Sequence, residues 1–350
     1  MEYINKLPPD NRDLSMFPGQ YGWPFLGKTV ELVKDTLAMC NKHYDKYGPV
    51  SRLDMVRNQR VLMCLGPEFN EAALFDPKGN FSVAGGYASS LGTLYPEGML
   101  LRDDKKHKKT RRASQPAFKT DALKSYVDML IPIQERRIQA LPVEEEFVFY
   151  DNIQETLMDV AARVFIGLDE KSPEAKRLNY LFSTINEGLV TPLPYDLPFL
   201  KFRKSMQARE ELREFFISNI PKRRGSDAQD MFTRYCNAQD EDGEYLEDVD
   251  IDGHMAFLLF AAFDTTTSAL TNILYYLGKN PQWQERVRDE IFSVSNEMPS
   301  FEDMAEMTMT EYVFQETLRF YPSVMILNRR TTRDVHVAGY DIPANTVVML

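Results

Sequence analysis

The stretch from Val249 to Gly278 constrains the fold of this chain more than any other. It opens Val-Asp-Ile-Asp-Gly-His, continues through nine apolar residues from Met255 to Phe263, then turns polar at Asp264-Thr265-Thr266-Thr267-Ser268. A second, largely apolar run leads to Leu277. As an α-helix it would span roughly 40 Å, the width of a whole domain. The apolar residues before Asp264 cover every helical face, which predicts a helix buried all round. A carboxylate and adjacent hydroxyls at its middle are costly to bury without partners. Whatever this chain folds into must bury the helix and satisfy its centre.

The 350 residues suffice for a sizeable core. A net charge of -11 argues against general nucleic-acid binding, since phosphate contacts need a basic footprint. Cys40, Cys64 and Cys236 are scattered and odd in number, which is not a disulfide framework. The first residues lack a signal-peptide core, and no run reaches 18 uninterrupted apolar residues. These features predict a cytoplasmic protein without a transmembrane anchor.

In chain order, Pro18-Gly19, Gly22, Pro24 and Gly27 predict a stiff strap laid over a surface, as Pro8-Pro9 predict a loop before it. An amphipathic helix is expected over Val30–Tyr47, stopped by Gly48-Pro49. Val50–Met55 and Arg60–Leu65, separated by Val56-Arg57-Asn58-Gln59, read as a hairpin, and Pro67–Phe75 as helix. Residues 78–100, rich in Gly, Ser and aromatics, read as a long irregular loop packed on something apolar. Helices follow from near Asp103, over Ala122–Leu141, Asn152–Ile166 and Glu174–Leu189. The connector at 190–200, with Pro192, Pro194 and Pro198, cannot be helical. A charged helix, Phe202–Ile220, is expected to stop at Pro221, and an acidic loop at Glu241-Asp242-Gly243-Glu244 to lie in solvent. Gln282–Val294 and Met309–Phe320 are helical by pattern. The β-branched tail from Arg329 to Leu350 predicts short strands.

Four constellations could carry chemistry. Asp264-Thr265 could pass protons to a bound ligand, or it could be a polar seam whose hydroxyls bond back along the helix. Glu316-x-x-Arg319 places an acid and a base on one helix face. Glu174…Arg177, Glu210…Arg213 and Glu285…Arg288 share the spacing, but Glu316 is surrounded by Val313, Phe314, Leu318 and Phe320, which predicts a buried pair. His107-x-x-x-Arg111, within the basic run Lys105, Lys106, Lys108, Lys109 and Arg112, could grip an anion or simply face water. Cys40-x-x-His43 reads as a packed thiol and a surface histidine rather than a zinc site. No Walker, dinucleotide or nucleophile-elbow motif is present, so kinase, NTPase and α/β-hydrolase readings have no support.

Taken in order, these pieces resemble the cytochrome P-450 family of haem-thiolate monooxygenases. The Pro18–Gly27 strap looks like its proline-rich entry. His107-x-x-x-Arg111, followed by Pro116-Ala117-Phe118, looks like its haem-propionate helix. Ala261-Ala262-Phe263-Asp264-Thr265-Thr266 is similar to its oxygen-activating stretch. Glu316-Thr317-Leu318-Arg319-Phe320-Tyr321-Pro322 matches its Glu-x-x-Arg helix, and Arg329-Arg330-Thr331 with Gly339 and Ile342-Pro343 is similar to the strands that follow.

The resemblance implies a single, mainly helical domain with a small β region from residues 50–65 and the tail. It implies haem b, molecular oxygen, a lipophilic substrate and a ferredoxin or flavoprotein electron donor docking near Lys105–Arg112. His107, Arg111 and Arg329 would hold the propionates, with Ala261 against the cofactor. Asp264 and Thr265 would deliver protons, and Glu316–Arg319 would be a structural pair. The 78–100 loop, the 190–200 connector and the Leu259–Phe263 face would line or gate the pocket, and the connector could also touch a membrane surface. Two departures stand out: Ala262 occupies a position where the family has Gly, and the family's cysteine ligand would lie beyond Leu350, so no metal ligand is assigned. An inactive fragment and a helical lipophile-binding module remain as further readings.

Overall fold

In the computed structural model the chain is described over residues 13–24, 26–56, 59–191, 195–240, 242–295 and 297–350. Pro8-Pro9, Arg57-Asn58, Pro192-Leu193-Pro194 and Glu241 lie outside the described residues. The fold is mainly α with a small sheet, arranged as two compact units. One unit comprises residues up to His107, Gly188–Arg203 and Met325–Leu350; the other comprises Lys108–Glu187 and Lys204–Val324.

The first unit is built on a six-stranded sheet. Its strands are β1 (Gly19–Gln20), β2 (Val50–Met55), β3 (Gln59–Cys64), β4 (Phe81–Ser82), β5 (Asn328–Thr331) and β8 (Val347–Met349), in the order β1-β2-β3-β8-β5-β4. β6 (Val335–Val337) and β7 (Tyr340–Ile342) form a separate hairpin. The hairpin of β2 and β3 pairs antiparallel as its pattern predicts, and β3 and β8 run parallel. Both central strands are apolar without alternation because both of their faces are buried. Leu62, Cys64 and Val348 pack with Phe17, Phe69 and Ile342 on one face. Val61, Met63, Val347 and Met349 pack with Met39 and Leu53 on the other.

The entry strap is not merely laid on this sheet; it joins it. β1 pairs parallel with β2, and the Lys28 amide donates to the Asp54 carbonyl at 2.7 Å. Gly27 adopts φ 54°, and a Cβ there would stand 2.0 Å from the Asp54 carbonyl oxygen. The next helix is two helices, α1 (Thr29–Lys34) and α2 (Thr36–Tyr47), rather than one. Asp35 breaks it: its backbone is extended at φ -158°, and its side chain caps α2 by accepting from the Ala38 amide at 2.9 Å. Helix-favouring periodicity loses here to a strong N-cap.

His43 on α2 is buried, not on the surface, and Nδ1 lies 3.1 Å from Ser51 Oγ on β2. Burial pulls its pKa below 6.5, with Lys28, Lys42 and Lys46 adding repulsion and Glu31 opposing. A depressed histidine contributes stability that is complete above the unfolded pKa near 6.5 and lost as pH falls toward the folded value. Thermal unfolding at pH 7.5 and 5 should therefore show acid destabilisation that His43→Gln diminishes; an identical pH dependence in the variant would show that His43 is not its source.

The expected irregular loop at 78–100 is a correction of a different kind. It contains α4 (Val83–Leu91) after α3 (Pro67–Leu74) and β4. Ser82 caps α4 by accepting from the Gly85 amide at 2.7 Å, while the Asp103 carboxylate accepts from the Val83 and Ala84 amides. The glycines that suggested a loop serve close packing: a Cβ on Gly86 would stand 2.6 Å from the Asn328 carbonyl oxygen on β5. Gly in a helix costs about 1 kcal/mol of propensity, which capping and packing against β5 offset.

The second unit is helical. Its elements are α5 (Asp104–Ser114, which enters it from the first unit), α6 (Thr120–Gln139), α7 (Phe149–Val160), α8 (Pro173–Leu189), α9 (Lys201–Arg223), α10 (Met231–Cys236), α11 (Asp248–Lys279), α12 (Pro281–Val294) and α13 (Thr308–Phe320). α7 runs on into a π-helical turn over Ala161–Ile166, closed by Gly167 at φ 73°. The charged α9 buries Ala208, Leu212, Phe216 and Ile220 at four-residue spacing. Pro221 does not stop it. A proline this near a C-terminus removes one ladder bond, and Arg223 secures the end by donating to the Ile166 carbonyl at 2.8 Å and pairing with Asp230 at 2.9 Å.

α11 is the axis of this unit and packs against α7, α10, α12 and α13. By length and composition it could cross a membrane. Its first turns, Ile251 to Ala256, are buried all round, but later it buries one side only and exposes Leu274 and Tyr275. Asp252, an apparent flanking charge in the sequence, is buried and takes a bidentate bond from Arg209 of α9 at 3.0 and 2.7 Å.

Candidate active site

The polar centre of α11 resolves mostly into the back-bonded form. Thr265 Oγ1 donates to the Ala261 carbonyl at 2.6 Å, Thr267 Oγ1 to Phe263 at 2.9 Å and Thr271 Oγ1 to Thr267 at 2.7 Å. Such hydroxyls share a carbonyl with the helix ladder and bend it. From the turn after α13, Ser323 Oγ donates to the Thr265 carbonyl at 2.9 Å. The hydroxyls are thus satisfied without ligand, and Thr265 must leave Ala261 before it can donate elsewhere.

Asp264 is different. The residue is exposed, yet its carboxyl group is recessed enough that burial raises its pKa above 3.8. Asn186 Nδ2 of α8 stands 3.5 Å from its Oδ2, a long contact that offers little compensation. On α7 the Asp264 charge helps hold the Tyr150 hydroxyl protonated, after burial, and Gln154 donates to that hydroxyl at 3.1 Å. A recessed carboxyl that forms no ion pair among the described residues, open to water on one side, is suited to taking and giving a proton.

On the flank of α11 lies a cavity of about 420 Å³ within the second unit. Leu258, Leu259, Ala262 and Phe263 form one wall; Leu130, Leu157, Val164 and Phe182 are among the side chains completing it, with Asn179 and Thr266 as polar points. Phe182 meets Phe263 edge-on at 5.9 Å. Sequence reading placed Leu259–Phe263 on a pocket but missed the walls from α6, α7 and α8, whose apolar stripes give no sign of where they stop short of full contact.

Glu316 and Arg319 form the expected pair, bidentate at 2.7 and 2.9 Å, and each draws the other's pKa toward the charged form. The expected burial is corrected: the side chains are 56% and 64% exposed. Among the identically spaced pairs, Glu210–Arg213 and Glu285–Arg288 also pair in solvent, whereas Arg177 turns to Glu211. Apolar neighbours in sequence misled because Phe314 and Phe320 are themselves exposed, and Arg319 stacks over the Phe320 ring at 4.3 Å.

His107 and Arg111 lie one turn apart on α5, and Arg329 lies on β5, donating to the Asn328 carbonyl at 2.9 Å. Lys106 pairs with Glu97 at 3.0 Å and Lys109 with Asp240 at 2.9 Å, so part of the basic run is neutralised.

Comparison with known proteins decides what these parts belong to. The family model for cytochrome P450 matches residues 17–350. The chain belongs to the cytochrome P450 family. Among its relatives, a Mycobacterium tuberculosis protein named cytochrome P450 136 is 27% identical over 346 residues, covering 98% of this chain and 70% of the relative. Taxane 10-beta-hydroxylase of Taxus cuspidata is 27% identical over 344 residues, covering 93% of this chain and 68% of the relative. The solved structure of retinoic-acid-bound cyanobacterial CYP120A1 superposes with a TM-score of 0.85 at 26% identity, over 95% of this chain and 76% of that one.

The family implies haem, and the described residues of this P450 fit it in part. Ala261 and Ala262 are small side chains near Thr265 on α11, Ala262 on the cavity wall, and His107, Arg111 and Arg329 are of the type that would donate to propionates. The donor set for iron does not fit. Cys64 and Cys236 are buried, and burial pushes both thiols up to about 12; half-buried Cys40 is raised too. Thiols so raised are protonated and inert. No group of three or more metal-ligating side chains occurs among the described residues.

Proposed function

We propose that this P450 is a haem-dependent monooxygenase that hydroxylates a lipophilic small molecule. The observation that carries this reading is Asp264-Thr265 at the centre of α11, in a chain whose P450 match runs from residue 17 to 350. Haem b, when bound, supplies the oxygen chemistry. Asp264 collects a proton from water through its raised carboxyl group. Thr265, rotated away from the Ala261 carbonyl, carries it inward on its hydroxyl. His107, Arg111 and Arg329 would hold the propionates of the haem, with Ala261 beside it.

Relatives named for hydroxylating taxanes and abscisic acid, and a structural neighbour with retinoic acid bound, support a lipophilic, oxygen-bearing or terpenoid-like substrate. The apolar cavity beside Ala262 supports the same class. Electrons would come from a ferredoxin or flavoprotein docking at exposed lysines of α5, such as Lys105 and Lys108. We place the protein in the cytoplasm, with exposed Val190, Leu197 and Phe199 of the connector as its peripheral membrane contact.

The ferrous–carbon monoxide spectrum tests the reading. A thiolate-type band on adding haem would support the monooxygenase reading. No haem uptake would leave the inactive-fragment reading, and haem bound with no thiolate band would overturn oxygen activation by the family's route.

A further inference from the structure

The turn that follows α13 is held to α11 at two points. Tyr321 meets Tyr276 at 5.8 Å between ring centroids. Eleven residues earlier on α11, Ser323 Oγ donates to the Thr265 carbonyl at 2.9 Å. Pro322 stiffens the link between these anchors, since its ring fixes φ and restricts the residue before it. The Tyr321 amide closes α13 by donating to Thr317 at 2.8 Å, so Ser323 sits at a determined distance from a helix end.

What this bond does follows from its acceptor. A helix carbonyl already accepts from the amide four residues on, and an outside donor draws it out of the ladder. The carbonyls of Ala261 and Phe263 carry extra donors from Thr265 and Thr267 of the same helix. That of Thr265 carries one from another element. The backbone of residue 265 is therefore oriented from α13's end, and the backbone sets where the Oγ1 can point when it leaves Ala261.

We propose that Ser323 is a positioning residue for the Thr265 hydroxyl. It holds the 265 peptide tilted, so that the hydroxyl alternates between two defined positions: bonded to Ala261, or turned toward the face of α11 where it carries a proton. In this role Ser323 acts through Thr265, whose carbonyl it meets. The proposal rests on the reading of Thr265 as a proton carrier given above.

The test uses Ser323→Ala, with Ser323→Thr retaining the hydroxyl, and Thr265→Ala in parallel. In the 350-residue chain, carbon-13 methyl NMR of Thr265 reports its side-chain rotamer without any cofactor. Ser323→Ala should move that signal toward rotameric averaging and Ser323→Thr should restore it. In the haem-loaded protein, the fraction of electrons ending as peroxide should rise about fivefold in Ser323→Ala, the population change that loss of one ordinary hydrogen bond produces, and return in Ser323→Thr. An unchanged Thr265 signal with unchanged peroxide in Ser323→Ala, while Thr265→Ala loses coupling, overturns the role of Ser323 and leaves the relay standing. Full coupling in Thr265→Ala overturns the relay instead, and the methyl signal still decides whether Ser323 orients residue 265. A lower melting temperature in Ser323→Ala with no change in the methyl signal makes the bond merely structural and also overturns the proposal.

Discussion

Asp264→Asn in the haem-loaded protein is expected to lower product formation by about a hundredfold, the low end of what general acid–base groups contribute, with haem content and substrate binding unchanged. The physical basis is the recessed carboxyl group on the open side of α11. Burial raises its pKa above 3.8, and Asn186 at 3.5 Å brings no positive charge to lower it again. A raised acid gives stability that is present below the unfolded pKa and lost as pH rises through the folded one. At neutral pH the charged form is thus slightly destabilising, and Asn should leave the melting temperature equal or higher while activity falls. That opposite movement of stability and turnover distinguishes a proton carrier from a structural carboxylate. Thr265→Ala should retain haem but divert reducing equivalents to peroxide. Product formation and coupling at parental levels in both variants would end the relay reading.

Arg209→Ala should be the most destabilising single change in the second unit, at about 3–5 kcal/mol, because it leaves a buried carboxylate without its cation. Asp252 is 3% exposed, and both of its oxygens accept from Arg209. The cost lies in the stranded charge rather than in the attraction lost. Arg209→Met combined with Asp252→Leu should therefore recover most of the stability, since apolar residues of similar volume often replace a buried pair without loss. Denaturant unfolding of the three proteins decides it: a double variant as unstable as Arg209→Ala would show that packing around Arg209, not the pairing, is what matters.

These two residues mark where reading the chain succeeded and where it could not. Asp264 is conspicuous in sequence because it interrupts a long apolar run, and helix boundaries at Gly48, Pro281 and Phe320 follow from local chemistry at the chain itself. Asp252 is not conspicuous. An acid in the first turns of a helix reads as a solvated dipole partner, and only the arrival of Arg209 from 43 residues away makes it a core residue. His43 was misread too: it is buried against Ser51 of β2, the strand that follows its helix.

Glycine-rich residues 83–92 show the converse error. Gly85 and Gly86 signal backbone freedom to a reader of sequence, whereas here they admit β5, more than 240 residues downstream, against a helix face. Glu316–Arg319 and Ser323 complete the contrast. The spacing of the pair along α13 was legible, but its exposure and the Ser323 bond to Thr265 were not.

Local periodicity, capping residues and the order of motifs were enough to specify a mainly helical chain, its sheet-forming segments and its membership of the P450 family, because each depends on interactions within a few residues. Which side chains are buried and which carbonyl Ser323 meets depend on contacts between distant segments. Those contacts are set by packing, and no window of sequence contains both partners.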